Sequence, residues 1–184
     1  NMMTGELVSM EALARWQKSD GTFVSPGEFI PLFESSGFIT RFDMYIWKSV
    51  CKTLAAWRDK GCKLVPISIN VSMIDITNID VPQYLSMLTE QYHISPKYLP
   101  VEITESIFAE SNTIVKNTIT RFHQKGFYVL MDDFGSGYSS LNVLKDANVD
   151  YLKLDMKFMQ IDAKNKGKGI QILKSIVDMA YRLG

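Results

Sequence analysis

Five short apolar segments of this chain each carry a polar or acidic residue at or near their C-terminal end, and that repetition constrains the fold more than any other feature. Glu11 follows the extended segment Glu6 to Met10. Asn70 lies in Ile67 to Val71, Glu102 in Val101 to Glu105, and Asp132 directly after Phe127 to Met131. Lys153 and Asp155 share one face of Asp150 to Asp155. By the two-residue period, the other face of these segments is aliphatic, as in Ile67, Ile69 and Val71 or Leu152 and Leu154, which suits packing against an outer layer. Between the segments the pattern turns helical. Ser25-Pro26 forms a cap and first-position pair for a helix to about Ser35, stopped by Gly37. A longer helix, roughly Arg41 to Lys60, carries the stripe Phe42, Ile46, Val50, Leu54 and Trp57 and closes at Gly61. Further helices are expected over Pro82 to Tyr92, Ser111 to Lys125, Ser139 to Lys145 and Lys168 to Arg182. Strands alternating with helices indicate a parallel sheet with crossover connections. Polar residues ending five strands in succession are what a (β/α) barrel requires, because its site is assembled from the C-terminal ends of several strands. An open doubly wound sheet is the alternative, and it would gather its ligand at a single switch point.

The polar strand ends are Glu11, Asn70, Glu102, Asp132 and Asp133, hard oxygen donors without histidine or cysteine beside them. Such a set suits Mg²⁺ or Mn²⁺ rather than zinc. Adjacent carboxylates at a strand end raise each other's pKa unless a cation neutralises them, and several together can hold two ions. Two such ions can promote in-line attack of water on a phosphodiester. Lys153 then orients the water or offsets phosphate charge, and Arg15, four residues past Glu11, could clamp a phosphate oxygen with two donors. The plainer readings are a surface position for Arg15 and an ion pair with Asp155 for Lys153. Asp133-Phe134-Gly135 also matches a kinase metal-binding triplet, but no glycine-rich loop or His-Arg-Asp loop precedes it. With 20 basic and 20 acidic residues the chain has no electrostatic footprint for a long nucleic acid, although a small anionic ligand is compatible. It has no apolar run of membrane-spanning length, and Cys51 and Cys62 lack metal-ligand spacing, so the expectation is a soluble, cytoplasmic domain.

Taken together, Glu11-Ala12-Leu13, Asn70-Val71-Ser72, Glu102-Ile103-Thr104-Glu105, Asp132-Asp133-Phe134-Gly135-Ser136-Gly137-Tyr138-Ser139-Ser140-Leu141 and Asp150 to Asp155 resemble the EAL domain family over essentially the whole chain. That resemblance implies a cyclic di-GMP phosphodiesterase of bacterial signalling, producing linear pGpG. It implies a modified TIM (β/α)8 barrel with an antiparallel first strand, incomplete in this chain. Glu11, Asn70, Glu102 and Asp132 would be metal ligands, with Asp133 at the second of two Mg²⁺ or Mn²⁺ ions and Lys153 holding the attacking water. Leu13 and Arg15 would touch guanine and phosphate, and the segment Pro26 to Glu34, including Phe29 and Ile30, would line a base pocket. Glu105 would anchor the loop after Asp133, which with its neighbouring helix would couple the site to a homodimer.

Three departures from the family pattern qualify the resemblance. Ser136 stands where threonine is common, and Phe33 where a small residue is usual. The family's first strand and the acidic segment and glutamine beyond Gly184 are missing, and 184 residues fall short of the roughly 250 that close a barrel. The expectation is therefore a partial domain, residues 1–184, of a longer protein. That protein could include sensory or GGDEF-type domains and be membrane-anchored through them. A non-hydrolysing cyclic di-GMP receptor is the competing function, and its mark would be loss of metal ligands. A third reading is that the 184-residue segment is by itself catalytically dead and misassembled, whatever its parent does.

Overall fold

The computed structural model describes residues 1, 3–109, 113–135, 144, 148–155 and 166–183. Its main sheet has five strands: β1 (Met10–Glu11), β4 (Ile67–Asn70), β5 (Val101–Thr104), β6 (Val129–Phe134) and β7 (Tyr151–Leu154). All neighbours are parallel, and their order follows the chain, β1-β4-β5-β6-β7. A doubly wound sheet must reverse its winding at some point, and this one does not. One-way winding is how a barrel wall is built.

The wall is also curled. Four strand spacings of ~4.8 Å would hold β1 and β7 ~19 Å apart in a flat sheet. Lys153 of β7 nevertheless lies 3.0 Å from Glu11 of β1, although a lysine and a glutamate together reach only ~11 Å at standard bond lengths. The architecture is an incomplete TIM-like barrel. An antiparallel strand is not among the described residues of this sheet; the turn expected at Thr4-Gly5 is present, with Gly5 at φ 69 and its N–H donating to Asn1 O.

The outer layer comes from α1 (Pro26–Ser35), α2 (Ile39–Asp59), α3 (Met73–Asn78), α4 (Val81–Gln91), α5 (Glu105–Ala109), α6 (Thr113–Gln124) and α7 (Lys166–Leu183). Ser25 caps α1 through a hydrogen bond from Gly27 N, with Pro26 at the first helical position. The core joins Trp47 and Leu54 of α2, Leu85 of α4 and Phe122 of α6 to Ile69, Val101, Ile103 and Val129 of the strands. These are the aliphatic strand positions that the two-residue period assigns to the outer face. A second cluster, Met131, Phe134 and Leu144, lies beside it.

Several boundaries differ from the sequence pattern. Of the extended segment Glu6 to Met10, only Met10 enters the sheet, because Met10 N–H and Ala12 N–H find Pro66 O and Ser68 O while residues 6–9 have no such ladder. Between β1 and α1 the chain forms a small antiparallel hairpin, β2 (Trp16–Gln17) with β3 (Phe23–Val24). α3 begins directly after β4, and Glu105 opens α5 instead of closing β5. β6 runs to Phe134, so Asp132 and Asp133 are inside the strand. The helix expected at Ser139 to Lys145 falls, apart from Leu144, outside the described residues.

Candidate metal and nucleotide site

At the C-terminal mouth of the wall, one ligand oxygen each from Glu11, Glu102 and Asp132 lies within 4.8 Å of the others. Each side chain gets there from a different strand: Glu11 from the end of β1, Glu102 from within β5 and Asp132 from within β6. Lys153 of β7 stands between them, with Nζ 3.0 Å from Glu11 Oε2, 2.6 Å from Glu102 Oε2 and 3.3 Å from Asp132 Oδ1. Asn70 of β4 adds a carboxamide whose Nδ2 is 3.4 Å from Glu11 Oε1. The end of β4 is fixed from outside, since buried Trp47 donates its indole N–H to Asn70 O at 3.0 Å. The four predicted ligands and Lys153 are therefore brought together, and Lys153 pairs across the mouth.

Burial divides the carboxylates. The Glu102 side chain is 1% exposed, against 30% for Glu11 and 21% for Asp132. Desolvation pushes the Glu102 carboxyl above its ordinary value, and the hydrogen bonds from Lys153 and Ser68 only partly offset this. Burial would lower Lys153, but hydrogen bonds to Glu102 and Glu11 and the charge of Asp132 outweigh it and hold the ammonium above the usual lysine range. Lys153 is a fixed cation, and the cluster around it is all-oxygen, as a hard divalent ion requires.

Asp133 is set apart by the backbone. Met131 pairs with Leu152 but Phe134 with Leu154, so β6 carries one residue more than β7 between those points. The extra residue makes a β-bulge, and Asp133 within it has φ 55, a left-handed conformation that aspartate tolerates better than most residues. The bulge lets Met131 and Phe134, three apart, pack in one cluster while Asp132 stays at the mouth. Asp133 N–H donates to Asp132 Oδ1 at 2.9 Å and so orients that carboxylate. Glu105, 2% exposed, accepts a hydrogen bond from Gly135 N at 2.7 Å and pins the residue that leaves the bulge. The loop beyond, 136–143, lies outside the described residues, and the expected dimer contact falls there.

Beside the carboxylates is a pocket of about 120 Å³ lined by Ala12, Leu13, Ala14, Arg15, Pro26, Ile30, Phe42, Asp43, Ile46 and Asn70. Leu13, Arg15, Pro26 and Ile30 stand where a base pocket was expected. Phe29 does not. It is 1% exposed and packs in an aromatic cluster, with its ring 5.8 Å from Trp16 and 5.9 Å from Phe42; its position on the buried side of α1 keeps it out of the pocket lining. Arg15 donates through Nη1 to Ala14 O at 2.8 Å. Asn70 belongs to both the pocket wall and the carboxylate cluster, which makes the two one continuous site.

The sequence pattern missed Asp43 of α2 and its neighbour Asp75 of α3. Asp43 is pushed up to about 8, first by burial, then by the Asp75 carboxylate against it and by Glu34. The available signal for Asp75 was Ser72-x-x-Asp75, a capping box at the start of α3.

The whole chain, residues 1–184, matches the EAL domain family. It is 34% identical over 184 residues to the Escherichia coli K12 protein named probable cyclic di-GMP phosphodiesterase PdeB, covering 100% of this chain and 34% of that protein. It is 32% identical over 179 residues to the cyclic di-GMP phosphodiesterase PdeR of the same strain, covering 97% of this chain and 27% of PdeR. The chain thus spans between about a quarter and a third of the length of these curated relatives. Among solved structures, the PaMucR phosphodiesterase in complex with c-di-GMP superposes with a TM-score of 0.80 at 25% identity, covering 96% of this chain and 74% of that one.

Proposed function

The chain belongs to the EAL domain family, and from that membership and the geometry of its mouth we propose that it carries the nucleotide-binding and hydrolytic residues of a cyclic di-GMP phosphodiesterase that yields linear pGpG. The observation that supports this best is the convergence of Glu11, Glu102, Asp132 and Lys153 from four strands beside the pocket of Leu13, Arg15, Pro26 and Ile30. Retention of the acidic ligands favours hydrolysis over binding alone.

In this reading Glu11, Asn70, Glu102 and Asp132 hold one Mg²⁺ or Mn²⁺ ion, and Asp133 belongs to a second. Two such ions, when bound, supply Lewis-acid neutralisation of charge on the phosphodiester. The chain's own groups do the rest. Leu13, Pro26 and Ile30 take the apolar faces of a guanine, and Arg15 offers its guanidinium to a phosphate oxygen. Lys153 is already charged, so it donates a hydrogen bond to the attacking water and does not deprotonate it. That proton goes to a carboxylate of the cluster, among which Asp132, oriented by Asp133 N–H, is best held. Glu102 fixes Lys153 with a 2.6 Å hydrogen bond. Attack on phosphorus forms one P–O bond and breaks another, opening the ring to a linear dinucleotide.

The proposal extends to a cytoplasmic domain that acts as a homodimer within a longer signalling protein, with Glu105 transmitting between site and dimer loop. No helix among the described residues is long and apolar enough to cross a membrane. The test is incubation of the purified protein with cyclic di-GMP and Mg²⁺ or Mn²⁺, with chromatographic separation of products. Appearance of pGpG that stops on adding a chelator is expected; cyclic di-GMP bound but uncleaved with either metal would overturn hydrolysis in favour of a receptor.

A further inference from the structure

Behind the nucleotide pocket, α2 and α3 bring two carboxyl groups into contact in a place where two charges do not fit. Asp75 is fully buried. Its Oδ2 accepts both the Ser72 N–H at 2.9 Å and the Ser72 Oγ–H at 2.7 Å, which closes the helix cap. Its Oδ1 is buried and has no hydrogen-bond partner among the described residues. An orphaned buried carboxylate oxygen is costly, and the group against it is the carboxyl of Asp43, which also lines the pocket. A carboxyl can satisfy another carboxylate only by lending it a proton.

We propose that Asp43 and Asp75 share a single proton, and that Asp75 is a positioning residue that turns the protonated oxygen of Asp43 inward and leaves its other oxygen as a neutral acceptor on the nucleotide pocket wall. The ligand class rests on the phosphodiesterase reading above; the proton sharing does not.

The surroundings agree. The charged groups that face Asp43 are Asp75 from α3 and Glu34 from α1, both acidic, and Arg15 on the opposite pocket wall, whose Nη1 is engaged by Ala14 O. Burial and these two carboxylates push the Asp43 carboxyl up to about 8. Loss of the proton puts a second negative charge between α2 and α3 and a full charge on a wall meant for an anionic nucleotide. Affinity therefore falls as pH passes the midpoint. It does so by about tenfold per pH unit above it, because one proton is released.

The experiment measures cyclic di-GMP affinity by calorimetry from pH 6 to 9.5 in the full chain, in D43N and in D75N, alongside melting temperature without nucleotide over the same range. Both substitutions keep side-chain shape. In the unsubstituted chain, affinity should be flat below about pH 7 and drop above about pH 8. D43N cannot ionise and should abolish the alkaline drop. D75N offers an amide donor that satisfies ionised Asp43, so the midpoint should move to lower pH and affinity at pH 7 should already be reduced. An alkaline drop that persists in D43N, or a midpoint unmoved in D75N, overturns the proposal. If cyclic di-GMP does not bind at any pH, the functional reading fails, and the melting profiles still decide the pair: a titration near pH 8 present in the parent and absent from D43N supports it, and superimposable profiles refute it.

Discussion

Replacing Lys153 by methionine keeps the stem and removes the charge, and the consequence can be worked from the burial of its partners. Lys153 contacts three carboxylates, but they do not count equally. Glu11 and Asp132 are 30% and 21% exposed, so water can screen them after the change. Glu102 is 1% exposed and loses a 2.6 Å partner. Breaking a buried pair by removing one member costs ~3–5 kcal/mol, most of it the penalty on the charge left behind. For a chain of this size that is a fall of about 6–20 °C in melting temperature. Two further features follow from the same cause. Glu102 is already held above its ordinary value, and K153M raises it further, so folded protein takes up a proton that unfolded protein does not. The deficit should shrink as pH falls from 7 toward the ordinary carboxylate range. A divalent ion can replace the missing charge, so Mn²⁺ should raise the melting temperature of K153M more than that of the parent, with ~2.7 kcal/mol available at a hundredfold excess over Kd. The assay is calorimetric melting at pH 5 and 7 with chelator or Mn²⁺. Equal stability of K153M and parent in chelator, or an equal Mn²⁺ increment in both, would refute the view of Lys153 as the counter-charge of the cluster.

Three other substitutions read other parts of the site. E105A leaves the Gly135 N–H without its acceptor and should cost ~1–3 kcal/mol in urea unfolding, whereas E105Q retains an acceptor oxygen and should recover most of it. Turnover should fall in E105A more than nucleotide affinity, if the loop after the bulge serves the reaction. D133A keeps the β-carbon at φ 55 but loses the polar side chain that eases this backbone, costing up to ~1 kcal/mol, while D133N should fold as the parent does and lose activity only through its charge. S72A removes the cap of α3 and should cost ~1 kcal/mol by chemical denaturation. It also removes one of the two donors to Asp75 Oδ2, the Ser72 hydroxyl, and leaves the backbone N–H in place, so the alkaline transition of Asp43 should move upward.

The winding of the sheet and the members of the carboxylate cluster were legible in the sequence because two independent signals coincide there. The two-residue period fixes which side chains face inward, and oxygen-bearing side chains at those positions cannot be core packing. Phe29 shows where this reasoning loses force. Its segment was assigned to the pocket as a block, but a helix presents only every third or fourth residue to one side, and α1 turns Ile30 toward the pocket and Phe29 toward Trp16, Phe33 and Phe42. The β2–β3 hairpin escaped notice for a different reason: two-residue strands carry too few positions for any period to register. The Asp43–Asp75 contact lies beyond pattern altogether, since it joins residues 32 positions apart on two helices, and nothing in either helix's own periodicity announces the other.

The end of β6 shows a conflict between two requirements resolved by backbone. Apolar pattern alone stops the strand at Met131, because two acidic residues follow. Ladder pairing continues to Phe134, and Phe134 is wanted on the same side as Met131, against Leu144, in the second core cluster. With strict alternation a residue three positions on would face the mouth instead, and either Phe134 or Asp132 would be on the wrong side. One inserted residue removes the conflict: Asp132 keeps its place beside Glu11 and Glu102, and Phe134 reaches the core. The left-handed backbone at Asp133 is the cost of that solution, and Asp133 offsets part of it by giving its N–H to Asp132. The adjacent carboxylates are therefore not equivalent ligands at a frayed strand end. Asp132 is held by the sheet and by its neighbour, whereas Asp133 takes its position from the bulge, so changes that loosen the packing of Phe134 should displace Asp133 more than Asp132 and, under the two-ion reading proposed above, weaken the second ion more than the first.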